Sequence, residues 1–329
     1  MQVSIVVPVF NSATCLPELA RRIQQDVGAH FERYELILVN DNSPDQSWLI
    51  IVQLAARYDF IVGVNLRRNV GQDNAIMAGL HYARGEVTVV MDDDLQHDPS
   101  DIPPLCQELR KGSDVVYAHF PKKEHARWKN LGSWFAGRVA ELVLEKPRHI
   151  YLSPFKAIHR EVVREIIKYD GPYSYVDGLI FTITSNISQI AATHHPRFAG
   201  VSNYNIWRSI RVWLKLATSF SIIPLRLATI TGGIMALFSF VMGSFFLLQT
   251  LLLNQPPGWP SLIVSVFFLG GIQLMGIGAV GEYIGRIFIT QNKRPQFIVR
   301  DVCHSQRSAE DHDHPPADSA QSPSTPPSP

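Results

Sequence analysis

Three cysteines in 329 residues, Cys15, Cys106 and Cys303, are too few and too scattered for a disulfide framework or a zinc site, and they read as reduced thiols. Net charge is nearly absent too: 30 Lys and Arg face 29 Asp and Glu, so no basic field supports a nucleic-acid partner. No GxGxxG follows the first apolar run and no GxxxxGK[ST] occurs, which argues against a dinucleotide-cofactor fold and a P-loop ATPase. The opening MQVSIVVPVF lacks a basic n-region and a long apolar core, so it reads as a first strand and not as a signal peptide.

The longest absence lies further on. From Leu227 to Gly281 there is no Asp, Glu, Lys, Arg or His. A run of that length holds two membrane helices of ~20 residues each. They are expected near Leu227 to Leu253 and Ser261 to Gly281, divided by the breaker NQPPGWP, with Trp259 suited to an interface. A buried soluble helical hairpin is the competing reading. Arg208, Arg211, Lys215 and Arg226 precede the run, and Arg286, Lys293, Arg294 and Arg300 follow it, so the positive-inside rule puts both outer ends in the cytoplasm. WRSIRVWLKLATS, from Trp207 to Ser219, mixes cations with apolar residues as a surface-lying segment does.

Before residue 200 the pattern changes. Strand-like runs at Val3 to Val7, Glu35 to Val39, Ile61 to Leu66 and Val87 to Met91 alternate with helix-like segments near Leu16 to Val27, Trp48 to Tyr58 and Ala75 to Arg84. This rhythm predicts an α/β, Rossmann-like parallel sheet flanked by helices. Polar or turn-forming segments close each strand, namely Pro8 to Ser12, Asn40 to Ser43, Arg67 to Asp73 and the acidic stretch after Met91. Ligands of open α/β sheets bind at such carboxyl ends.

The organising stretch is VTVVMDDDLQHDP, Val87 to Pro99. Alternation along an extended segment lets Asp92 and Asp94 share a face while Asp93 points elsewhere. Two carboxylates on one face suit a hard cation such as Mg²⁺ or Mn²⁺, with Gln96 able to add a carbonyl oxygen. A solvated acidic loop is the plain alternative. Arg68, Asn69, Gly71 and Gln72 precede a helix, where a cation and backbone N–H groups suit a diphosphate; an ordinary strand-to-helix turn fits the same residues. Asp177 in YSYVDGLIF reads equally as a catalytic base or an N-cap. From Glu124 to Lys146, Trp128, Leu131, Phe135, Val139 and Leu142 recur at helical spacing beside Arg127, Lys129 and Arg138, a pattern compatible with a membrane-surface helix and with core packing. His194 and His195 have no nameable co-ligands.

The ordered series PVFN, VNDNSPDQS, LRRNVGQDNAIMAGL and MDDDLQHDP resembles the family 2 glycosyltransferases that use nucleotide-sugars, in particular the polyprenyl-phosphate (bactoprenol and dolichol-phosphate) branch. The closing GEYIGRIFITQNKRPQFIV resembles the bacterial undecaprenyl-phosphate members and extends the likeness to about residue 300.

The resemblance implies a GT-A nucleotide-sugar-binding domain with a two-helix transmembrane hairpin. Its predicted division is a cytoplasmic catalytic domain at 1–204, a juxtamembrane segment at 205–226, the hairpin at 227–285, a cytoplasmic segment at 286–300 and a disordered tail at 301–329. It also implies inverting sugar transfer to a polyprenyl phosphate at the cytoplasmic face of a bacterial inner membrane, for cell-envelope glycan or lipopolysaccharide modification. The rival readings are transfer to a saccharide acceptor and a non-catalytic membrane scaffold.

Carried onto this sequence, Pro8, Asn11, Asp41, Arg68, Asn69, Gln72, Asp92 and Asp93 form the donor site, with Asp41 toward the base. Asp92, Asp94 and Gln96 hold the metal, with Asp94 catalytic; the family's further acidic residue falls on Pro154, so that carry-over fails and Asp177 is the next acidic candidate, as a base or an N-cap. Arg127, Arg138, Arg197 and Ser202, the last two in an RxxGxS-like block, meet the acceptor phosphate. The family often has two acidic residues where Asn40 and Asp41 stand, a Glu where Ser12 stands, and an acidic residue where Pro154 stands. A homo-oligomer is also compatible with the resemblance.

Overall fold

The computed structural model describes residues 2–120, 150–171, 174–193, 259–292 and 295–304, with parts of 229–248. Strand β1 (Gln2–Val9) carries VSIVVPV, buried along its whole apolar length, because it lies inside a sheet covered on both faces. Helix α1 (Leu16–Asp26), β2 (Arg33–Asn40), α2 (Ser47–Arg57), β3 (Ile61–Leu66), α3 (Gln72–Tyr82) and β4 (Val87–Val90) follow in the expected alternation. A 3₁₀ turn at Pro99–Asp101 leads into α4 (Ile102–Leu109), then come β5 (Val115–His119), β6 (Lys156–His159), α5 (Arg160–Ile166), α6 (Val176–Ile183) and β7 (Ile187–Ala191). A long helix, α7 (Trp259–Gln291), and a last strand, β8 (Val299–Cys303), complete the described elements.

The strands form one eight-stranded sheet in the order β7-β5-β6-β4-β1-β2-β3-β8. The expected parallel arrangement holds for β4, β1, β2 and β3. The sheet as a whole is mixed: β6 opposes both β4 and β5, and β8 opposes β3. The chain leaves β5 at the carboxyl edge and re-enters at Lys156 opposite Tyr117 on that same edge, so β6 can only run back. Asp301, Val302 and Cys303, expected in the disordered tail, are strand residues instead.

One core cluster packs α1, α2 and α4 against one sheet face, and a second packs α3, α5 and α6 against the other. Gly79 permits the close approach of α3, since a Cβ there would lie 2.4 Å from Val6 Cγ1. The chain moves outward from β1 to β2 and β3, then crosses back to place β4 on the other side of β1. This reversal opens a crevice between the carboxyl ends of β1 and β4, where doubly wound sheets bind ligands.

The first expected membrane helix lies only partly within the described residues, and the segment at 205–226 lies wholly outside them. The second is longer than expected, at 33 residues, with Pro260 in its first turn. Leu262, Val266, Phe268, Leu274, Ile277, Ile284, Ile287 and Phe288 are exposed along it. Several other side chains of this helix lie outside the described residues, and among those described no helix is long and apolar enough to cross a membrane.

Candidate active site

Four loops meet at the carboxyl edge. After β4, Asp92 projects toward α3, and its Oδ1 accepts from Gln72 Nε2 at 2.7 Å. Asp93 turns the other way, where its Oδ2 accepts the Phe10 N–H at 3.1 Å and so braces the turn after β1. Burial pushes the Asp93 carboxyl above the usual range, with the Ser12 hydroxyl and the Phe10 amide pulling against it. Asp94 Oδ1 accepts the Gln96 N–H at 3.1 Å. Leu95, at φ 60, is buried between them, so the loop folds sharply and leaves its polar neighbours on the outside. Asp92 and Asp93 therefore point apart, toward α3 and toward β1, and Asp94 lies close enough to Asp93 to raise its carboxyl further.

His97 fixes this loop from below. Its Nδ1 accepts the Asp92 N–H at 3.2 Å, and its ring stacks on Phe120 and Phe155 at centroid distances of 5.5 and 5.1 Å. Nothing in its sequence position marked it as a partner of Asp92 beyond its presence in LQHDP.

Asp41 follows β2 directly, buried, with Oδ1 accepting the Val70 N–H at 2.7 Å and Oδ2 the Gly71 N–H at 2.9 Å. Burial raises its carboxyl above the ordinary value, opposed by those two amides. Asn69 Nδ2 donates to the Asp41 carbonyl, while Arg68 stays exposed. Asp41 thus orders the loop holding Arg68, Asn69 and Gln72, a role that its expected contact with a base did not anticipate. Gly71 takes φ 88 at the cap of α3, a value that favours glycine. Pro8 is buried within β1, and Asn11 stands exposed just beyond it at φ 59.

Asp177 is not an N-cap: it lies in the first turn of α6, whose cap is Tyr175. Its Oδ1 accepts from Tyr117 Oη at 2.7 Å and from Lys156 Nζ. Lys156 is only 3% exposed and lies 5.4 Å from the centre of the Tyr117 ring. Asp73 Oδ1 in turn accepts the Val176 N–H, tying the first turn of α3 to that of α6. Asp177 and the acidic loop therefore flank α3, but Asp177 is held in an ion pair. Arg127, Arg138, Arg197 and Ser202 lie outside the described residues.

Among the described residues no three His, Cys, Asp or Glu side chains converge as a metal cage. The donor set still fits Mg²⁺ or Mn²⁺, which are commonly held by one or two carboxylates, with substrate phosphates and water filling the rest. Asp92 and Asp94 offer two hard-oxygen carboxylates on one short loop, with Gln96 beside them.

A model of "Glycosyl transferase family 2" matches residues 4–167, the stretch that builds β1 to β6 and this edge. A bactoprenol glucosyl transferase of Shigella phage SfV is 33% identical over 303 residues, covering 91% of this chain and 98% of its own. The chain belongs to glycosyl transferase family 2. In this family 2 chain the matched region is the α/β GT-A domain. An undecaprenyl-phosphate 4-deoxy-4-formamido-L-arabinose transferase of Shewanella sediminis is 32% identical over 305 residues, covering 91% of this chain and 92% of its own. Among solved structures, glucosyl-3-phosphoglycerate synthase of Mycobacterium tuberculosis aligns at 16% identity with TM-score 0.49, over 66% of this chain and 77% of its own.

Proposed function

We propose that this glycosyltransferase moves a sugar from a nucleotide-sugar to the phosphate of a polyprenyl lipid, with inversion at the anomeric carbon. The names of its full-length relatives, a bactoprenol glucosyl transferase and an undecaprenyl-phosphate sugar transferase, support the acceptor class. The observation that carries the reading is the Gln72–Asp92 bond at the carboxyl ends of β1 and β4, where the strand order reverses, with Asp94 two residues further along the same loop; a donor diphosphate fits there.

Pro8, Asn11, Asp41, Arg68, Asn69, Gln72, Asp92 and Asp93 form or shape the donor pocket in this reading. The N–H groups at the start of α3 and the Arg68 guanidinium bind and orient the diphosphate. Asp92 and Asp94, with Gln96, would hold a divalent cation, which when bound neutralises the departing nucleoside diphosphate. A phosphate oxygen of the acceptor attacks the anomeric carbon, the bond from that carbon to the diphosphate oxygen breaks, and its electron pair leaves on the nucleotide. The attacking phosphate is already an anion at neutral pH, so Asp177 is not needed as a base and serves to hold Lys156 and Tyr117 in place.

Membrane anchoring through the C-terminal helices belongs to the same reading. The uncharged run ending at Gly281 and the exposed apolar residues along α7 support it. A helix of 33 residues is about 50 Å long, and its charged residues Glu282 and Arg286 fall in its last third. The flanking Lys and Arg residues support a cytoplasmic catalytic domain at a bacterial inner membrane.

The test is purified full-length protein in detergent with undecaprenyl phosphate, Mg²⁺ or Mn²⁺, and a panel of labelled UDP- and GDP-linked sugars. Label in solvent-extractable lipid is the expected outcome. A soluble saccharide product, or no product with any donor, would overturn the reading. Asp94→Ala is expected to abolish lipid labelling while leaving the far-ultraviolet circular dichroism unchanged.

A further inference from the structure

Strand β8 arrives from the far end of the chain, separated from α7 by residues 292–298, and pairs antiparallel with β3. At the carboxyl edge this pairing sets three polar side chains side by side on neighbouring strands, since Asn40 faces Asn65 and Asn65 faces Asp301. They are bonded in series. Asn65 Nδ2 donates to Asp301 Oδ2 at 3.0 Å, and Asn40 Nδ2 donates to Asn65 Oδ1 at 2.8 Å. The Ser43 N–H donates to Asn40 Oδ1 at 3.3 Å, and the Asn11 N–H donates to Ser43 Oγ at 3.1 Å.

The two ends dictate the direction. A carboxylate only accepts, so Asn65 must turn its amide nitrogen toward Asp301 and its oxygen toward Asn40. A backbone N–H only donates, so Asn40 must turn its oxygen toward Ser43 and its nitrogen toward Asn65. The Ser43 N–H, Asn40 Nδ2 and Asn65 Nδ2 donors thus all point toward the anion at Asp301, and hydrogen bonds aligned this way polarise one another, while the Ser43 hydroxyl donates to the Val9 carbonyl at 3.4 Å. Asn40 and Asn65 are buried in a layer where Val39 and Val64 are their chain neighbours, so an interrupted series leaves a desolvated amide group without its partner. At the other end, Asn11 and Asn42 both hold positive φ, at 59 and 50, in the turns that follow β1 and β2. Asparagine tolerates this region better than most residues, and the Asn11 N–H bond to Ser43 Oγ ties the two turns to each other.

We propose that Asp301 is a positioning residue for donor binding, acting through Asn65, Asn40 and Ser43 on Asn11. The strand that follows the long C-terminal helix thereby sets the shape of turns two and three strands further into the sheet. The proposal rests on the reading that these turns border the nucleotide.

The test uses the full-length protein in detergent and the variants Asp301→Ala, Asp301→Asn and Arg300→Ala. Binding of UDP and of GDP, each with Mn²⁺, is measured by calorimetry, and hydrogen–deuterium exchange is followed in peptides spanning residues 9–15 and 40–47. Asp301→Ala is expected to speed exchange in both peptides and to weaken the nucleotide that the wild type binds by about tenfold. Asp301→Asn, which keeps an acceptor for Asn65, restores most of both, and Arg300→Ala, which removes only the exposed ion pair 3.5 Å from the same Asp301 Oδ2 and leaves the Asn65 bond in place, changes neither. Wild-type exchange and affinity in Asp301→Ala would overturn the proposal alone. So would faster exchange confined to β8 and β3, because that marks a strand contact without reach. Failure of the wild type to bind either nucleotide would overturn the donor-site reading, and the proposal with it.

Discussion

Gln72 Nε2 lies 2.7 Å from Asp92 Oδ1, so the first turn of α3 and the loop after β4 are joined at the point where they flank the crevice. The bond fixes one carboxylate oxygen and leaves the orientation of Asp92 dependent on a neutral amide from another element. Replacing that amide changes the geometry offered to a cation without changing the ligands. Gln72→Ala is expected to raise the Mn²⁺ concentration for half-maximal lipid labelling, and to lower kcat/KM by roughly ten- to a hundredfold, the scale of one hydrogen bond to a charged group. A metal titration of turnover checks this, and an unchanged midpoint would count against it.

The Lys156–Asp177 pair gives a stability prediction. With side chains 3% and 15% exposed, each charge depends on the other. Asp177→Asn strands the ammonium of Lys156 and is expected to cost about 3–5 kcal/mol in chemical unfolding. Lys156→Met combined with Asp177→Leu is expected to recover most of that loss. A fully stable but inactive Asp177→Asn would instead identify Asp177 as a base.

His97 accepts a hydrogen bond from a backbone N–H, so its Nδ1 carries no proton and its Nε2 does. Nitrogen-15 NMR of histidine-labelled protein is expected to show that tautomer near neutral pH. His97→Leu, which cannot accept the Asp92 N–H, is expected to lose about 1–3 kcal/mol of stability.

The thiols give a pH prediction. Burial pushes Cys106 from 9.0 up to about 12, and burial also raises Cys15 and Cys303. The folded state therefore retains thiol protons that the unfolded chain releases above about 9. The stabilising contribution of Cys106 is complete below pH 9 and is lost as pH rises from there through 12. At pH 8, iodoacetamide is expected to label none of the three cysteines rapidly in the native protein and all three after unfolding.

Much of the catalytic layer was legible because β1 to β4 are buried on both faces and read as uninterrupted apolar runs. Val115 to His119 gave a weaker signal, since five residues beside Asp114 are too short to separate strand from buried helix by periodicity. Val299 to Cys303 gave none: VRDVC is a half-exposed edge strand with two adjacent charges. That Asp92 and Asp93 point apart could be read from local alternation, and Gln72 from its position at the start of a helix. Their anchors could not, because Asp177 meets Tyr117 across 60 residues and Asn65 meets Asp301 across 236. Such pairings depend on strand order, which the antiparallel insertion of β6 and β8 altered.

The placement of β8 also orders events during synthesis. Residues 63–66 leave the ribosome long before residues 299–303, which are their partners, so the outermost seam of the sheet stays open until α7 has been translated. A nascent chain that has closed this seam has necessarily already made its apolar C-terminal helix, so the catalytic sheet is completed last at its outermost strand.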